Sequence, residues 1–160
     1  AAGVTRGALY HHFADKADLL RAVAQQAADE VAADIEAGDA PPAAPLQALI
    51  DGAERYFAAM AGQGRARLLL LEAPAVLPPA QLLALHEHAG ASALRDGLGA
   101  ALAPAALAGA VIDALAAQLS AAFDRAALAI ARGEPAEPQR QAMRWLLTQL
   151  VQGAGAAPRA

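Results

Sequence analysis

At 160 residues, the chain is long enough for one hydrophobic core and short for two independent ones. It has no cysteine, which excludes disulfide scaffolds, thiol catalysis and cysteine-ligated zinc; its net charge of −4 excludes a surface that coats nucleic acid without selecting sequence. Of the 57% counted as hydrophobic, 50 residues are alanine and only 4% of the chain is aromatic, so helix propensity outweighs apolar bulk.

The chain opens Ala1-Ala2-Gly3-Val4, with no methionine and no basic segment leading into an apolar one. We therefore expect no signal peptide, a cytoplasmic setting, and a start inside a longer protein. Thr5 suits the cap of a short helix over 5–13, which Val4, Ala8, Leu9 and Phe13 anchor to its neighbours. Thr5, Arg6, Gly7, Tyr10, His11 and His12 are left for solvent: hydrogen-bonding or cationic groups around a glycine that lets backbone approach a partner. Asp15 is a good cap for a helix over 15–37, with Leu20, Val23, Ala27, Val31 and Ile35 as its apolar stripe. Lys16, the one lysine of the sequence, sits in the first turn, where the helix dipole favours an acid. A phosphate held there by the lysine and the free amides would make the position favourable.

Prolines across 39–45 forbid helix continuation, and the next helix carries Leu46, Leu49, Ile50, Ala53, Phe57 and Met60 on one face. A short buried helix is expected over 65–73, stopped by Pro74, and a continuous helix over 80–102. From Pro104 to Arg132 two stripes run in parallel, one of Ile112, Leu115, Leu119, Phe123 and Ile130, the other including Leu107, Val111, Ala121 and Leu128. A last helix over 137–152 also has two faces, and 153–160 is expected to be a loose tail. The uncharged run 97–112 contains Pro104 and is mostly alanine and glycine. It is short of the ~18 to 20 strongly apolar residues of a membrane span, so no membrane partner is expected.

Helices apolar on two sides need cover on two sides. Either the last two occupy the centre of a larger monomeric bundle, or they pair with a second copy through Leu107, Val111, Ala121, Arg125, Leu128, Ala142, Trp145 and Gln149. The homodimer is the expectation.

The chemistry-bearing residues do not assemble into a catalytic pattern. His86 and His88 are about 200° apart around a helix and His11 and His12 are adjacent, so no metal site is expected. Ser92 and Ser120 lie in alanine-rich helices without a strand-to-helix glycine elbow, and no histidine is expected at hand for either; no glycine-rich phosphate loop occurs. Asp29 and Glu30 read as solvated helix surface. Neither an enzyme nor a cofactor is expected. A helical interaction or scaffold module that never touches DNA stays open as an alternative.

Segment 2–16 resembles the end of the helix-turn-helix of tetracycline-repressor (TetR) family regulators. Ala2-Gly3-Val4-Thr5 matches the turn, Gly7-Ala8-Leu9-Tyr10-His11-His12-Phe13 the recognition helix, and Asp15-Lys16 the start of the connecting helix. The run Leu68-Leu69-Leu70-Leu71-Glu72-Ala73-Pro74-Ala75-Val76-Leu77 resembles a segment in a subset of the family. The resemblance implies an all-α protein: a remnant of the DNA-binding head plus connecting helix over 1–37, and an effector-binding and dimerisation bundle over 45–152. It implies a homodimeric repressor on palindromic double-stranded DNA, released by a small-molecule effector. Thr5, Tyr10 and Lys16 would hold phosphates; Arg6, Gly7 and His11 would face base edges, and His12 would do either. The effector pocket is expected around Tyr56, Phe57, Met60, Leu69, Glu72, His86, Gln118 and Phe123. The family's first helix and most of its second are expected to lie before residue 1.

Overall fold

The computed structural model describes residues 13–37, 44–62 and 64–156. Among them every regular element is helical and no strand occurs. Helix α1, Lys16–Glu36, begins at a reciprocal cap: the Asp15 carboxylate accepts from the Asp18 amide at 2.7 Å, and the Asp18 carboxylate accepts from the Ala14 amide at 3.0 Å. Helix α2, Pro45–Met60, starts on a proline, whose missing N–H costs nothing in a first turn. Helix α3, Arg65–Arg67, runs directly into a π-helical turn, Leu68–Glu72. Helix α4, Pro79–His86, leads through a second π-helical turn, Glu87–Ala91, into α5, Ser92–Leu102. After a 3-10 turn, Ala103–Ala105, come the long helices α6, Gly109–Ala131, and α7, Ala136–Ala156.

Leu49, Phe57, Met60, Leu98, Leu102, Phe123, Met143 and Leu147 form the main core, drawn from α2, α5, α6 and α7. A smaller cluster of Ala24, Ala28, Ala73, Leu77 and Leu85 seats α1 on the segment between α3 and α5. Two glycines allow the closest approaches. A Cβ at Gly97 would lie 2.8 Å from Leu49 Cδ2, and one at Gly90 would lie 2.8 Å from Ile35 Cδ1. Gly90 also has φ 126°, a left-handed conformation that side chains rarely adopt.

The structure corrects four expectations. Helix α1 buries Ala24, Ala27, Ala28 and Val31, while Val23 is 44% exposed; the small alanine side chains let a neighbour approach more closely than the larger stripe would. None of Leu68 to Leu71 is fully buried: the π-helical turn sets Leu69 and Leu70 in the wall of a cavity and leaves Leu71 41% exposed. The helix expected over 80–102 is broken at Gly90. Finally, α7 continues through Gly153 to Ala156, so the first part of the expected loose tail is helical. Helix α6 is long and apolar enough, by length and composition, to cross a membrane. Here it turns Ala116, Ser120, Phe123, Ala126 and Ala127 into the core.

Candidate ligand cavity and outward helix face

Between α1, α2, the first π-helical turn, α4, α5 and α6 lies a cavity of about 740 Å³. Its wall is largely apolar, with Leu49, Met60, Leu69, Leu82, Leu94 and Phe123 among the lining residues. The size and the lining are those of a drug-sized ligand site. Leu83, 62% exposed, marks where the wall meets solvent.

Into this apolar wall the fold sets one connected polar group. The Tyr56 hydroxyl donates to Asp124 Oδ1 at 2.6 Å. Asp124 Oδ2 lies 3.6 Å from His86 Nδ1, and His86 Nε2 is 2.9 Å from Ser120 Oγ. Ser120 and Asp124 are four residues apart on α6 and therefore share a face. Burial pushes the Asp124 carboxyl above the ordinary carboxylate range, opposed by the Tyr56 hydrogen bond and by His86. Burial first, then the Asp124 charge and hydrogen bond, hold the Tyr56 phenol well above its usual value, so Tyr56 remains a donor. Edge-on aromatic packing steadies the site: the Tyr56 ring centroid is 5.7 Å from that of Phe123 and 5.9 Å from that of Phe57.

The cavity also touches the end of α1, through Ile35 and Glu36. Arg55 of α2 lines it and donates Nε to the Ile35 carbonyl at 2.8 Å, satisfying a last-turn oxygen. Arg65 braces the same helix, pairing with Glu30 at 2.6 Å and Asp34 at 2.9 Å. Glu30 thus carries an ion pair and Asp29 a 2.8 Å contact with His88 Nε2, both on an exposed face.

Of the residues expected in an effector pocket, Tyr56, Met60, Leu69, His86 and Phe123 line the cavity. Phe57 stands behind it, buried against Tyr56 and Phe123. Two expectations are corrected. Glu72 lies outside, at the end of the π-helical turn, and pairs with Arg67 at 2.8 Å. Gln118 is exposed on the far side of α6, about 200° around the helix from Ser120. The sequence reading missed Asp124 and Ser120. A carboxylate beside Phe123 and four residues from a serine, inside a nearly uncharged helix, was the signal available.

The expectation that Ser120 has no histidine at hand is corrected by its contact with His86, 34 residues away. Ser120 nonetheless sits in mid-helix, with its own amide committed to the helix ladder and not free to bind an oxyanion. Among the described residues no group of three metal-ligating side chains occurs.

On the other side of α6 and α7, Leu107, Val111, Ala121, Arg125, Ala142, Trp145 and Gln149 are all exposed, Trp145 at 62%. Leu128, expected with them, is partly buried and lines the cavity instead. Lys16 is exposed at the first residue of α1. Thr5, Arg6, Gly7, Tyr10, His11 and His12 lie outside the described residues.

Compared with known families, residues 46–154 match the tetracyclin repressor-like C-terminal domain, and residues 1–23 match the model of bacterial regulatory proteins of the tetR family. A search of curated proteins gives no match. The first of these matches spans well over half of a chain whose observed helices already pair a cavity with an outward apolar face, and the chain belongs to the TetR family of DNA-binding transcriptional regulators.

Proposed function

We propose that this chain is the sensing and dimerising part of a ligand-responsive repressor, which holds a palindromic operator as a homodimer and leaves it when a small effector enters the cavity. The observation that carries this reading is that one cavity wall contains both the end of α1 and the polar face of α6. Helix α1 is the covalent link to residues 1–15, where the DNA-reading segment falls. A ligand that presses on Ile35 or draws Arg55 from the Ile35 carbonyl changes the tilt of that link. On the opposite side of α6, a two-fold pairing through Val111, Ala121, Arg125, Ala142, Trp145 and Gln149 would set the separation of two recognition helices, which half-sites about 34 to 36 Å apart require.

In this reading Thr5, Tyr10 and Lys16 hold phosphates, while Arg6, Gly7 and His11 face base edges and His12 serves either role. The effector side consists of Tyr56, Met60, Leu69, His86 and Phe123, with Asp124 and Ser120 added. We place the protein in the cytoplasm, with no enzymatic activity. The test is selection of bound sequences from random DNA by the full-length protein, followed by titration of the selected inverted repeat. Arg6→Ala is expected to cost about 1 to 3 kcal/mol and relax specificity at one position. Lys16→Ala is expected to weaken all sequences alike and flatten the salt dependence. Failure to enrich any sequence would leave a helical interaction module in its place.

A further inference from the structure

We propose that the cavity takes a lipophilic monocation, an apolar body carrying one protonated nitrogen that donates to Asp124 beside the rings of Tyr56 and Phe123. This rests on the reading of the cavity as the effector site and names the chemistry that site selects.

Of the side chains that line the cavity, Glu36, Arg55 and Asp124 carry charge. Arg55 donates to the Ile35 carbonyl at the end of α1, where the helix dipole also favours a cation. Asp124 sits in the middle of α6, on the face that lines the cavity. Its carboxylate offers about four acceptor positions. Among the described residues one hydrogen bond reaches it, from the neutral Tyr56 hydroxyl. His86 Nδ1, at 3.6 Å, stands beyond hydrogen-bond reach, and no lysine or arginine among the described residues comes within ion-pair distance. The His86 ring is held from its other side by Ser120 at 2.9 Å. The result is an anion in an apolar wall with acceptor capacity left over, and burial already holds its carboxyl above the ordinary range.

A ligand ammonium meets each part of this deficit. Its N–H donates to the free lone pairs, and its charge compensates the carboxylate in a medium that screens poorly. The rings of Tyr56 and Phe123 stand in the same wall, and an aromatic face attracts a cation placed over it. The leucines and Met60 enclose the apolar remainder. A ligand carboxylate meets the opposite: a second anion beside Asp124 in the same apolar enclosure.

The experiment uses three probes of one skeleton, 2-naphthylmethylammonium, 2-naphthalenemethanol and 2-naphthoate, titrated calorimetrically into the full chain. The ammonium is expected to bind about tenfold tighter than the alcohol, as a charged hydrogen bond in place of a neutral one allows, and the carboxylate most weakly. Asp124→Asn keeps an acceptor for Tyr56 and is expected to bring ammonium and alcohol to equal affinity. Tyr56→Phe frees one more lone pair and is expected to keep or raise the ammonium preference; a purely structural role for the pair would instead weaken all three probes. Equal affinities in the unaltered protein, or a carboxylate that binds tightest, overturns the proposal while the bound alcohol leaves the effector site standing. Uptake of none of the three overturns both.

Discussion

Helices α2, α5 and α6 enclose two unlike interiors. Toward α7, Leu98, Leu102, Phe57 and Leu147 are shut away almost completely. Toward α1 and α4, the same helices stand off from one another around about 740 Å³. What separates the two is the intervening segment from Leu68 to Ser92. It contains two π-helical turns, Pro74, Pro78, Pro79 and a left-handed Gly90. Each interrupts the regular helix, by an extra residue in a turn, a missing N–H or a reversed backbone angle, and together they keep leucines from closing over the space. Cavity and core thus differ less in composition than in how continuous the bordering helix is.

That contrast can be broken most sharply on its packed side. Leu98→Ala removes a fully buried side chain where neighbours have little room to collapse, and is expected to cost about 2 to 5 kcal/mol in denaturant unfolding. Gly97→Val drives a side chain into Leu49 and is expected to cost about 1 to 3 kcal/mol by the same measurement. On the open side, Leu82→Trp fills space already empty. It is expected to change stability by less than about 1.5 kcal/mol yet abolish uptake of the naphthalene probes, read by calorimetry. Trp145→Asp alters an exposed position and is expected to leave protomer stability within about 0.5 kcal/mol. The same change is expected to lower the molar mass seen in analytical ultracentrifugation to that of one chain.

The smallest effect concerns Asp124. Because burial raises its carboxyl above the unfolded value, the folded protein holds that proton more tightly than the unfolded chain does. The corresponding stability is present below the ordinary aspartate range and is lost as pH rises through the raised value. Asp124→Asn, which cannot ionise, is therefore expected to melt above the unaltered protein at pH 7. Thermal melts followed by circular dichroism should show that difference close as pH falls below the ordinary aspartate range.

Much of the fold could be read from residue spacing. Asp15 announced the start of α1, the stripe from Leu46 to Met60 announced α2, and Pro104 marked the break before α6. The breaks at Leu68–Glu72 and at Gly90 escaped, because a π-helical turn has the composition of the helix around it and a lone glycine is tolerated inside one. In the site, Phe123 was legible as an aromatic on an inward stripe, while Tyr56 entered only through the pocket that the family resemblance implied. Glu72 was misplaced because its angle depended on that unforeseen turn. Gln118 was misplaced because α6 has two apolar stripes and a polar residue between them is ambiguous.

The amino-acid sequence by itself determined the helical class, the order of the helices and the family, since alanine content, capping residues and the 2–16 motif act locally and need no distant partner. Only the tertiary structure decided that His86 meets Ser120 and Asp124, and that Asp124 receives Tyr56. Those contacts join residues 34 to 68 positions apart, and their distances follow from how the helices cross rather than from any pattern along the chain. The same crossing geometry left a cavity on one side of α6 and an uncovered apolar face on the other, a division that the two parallel stripes permitted but did not assign.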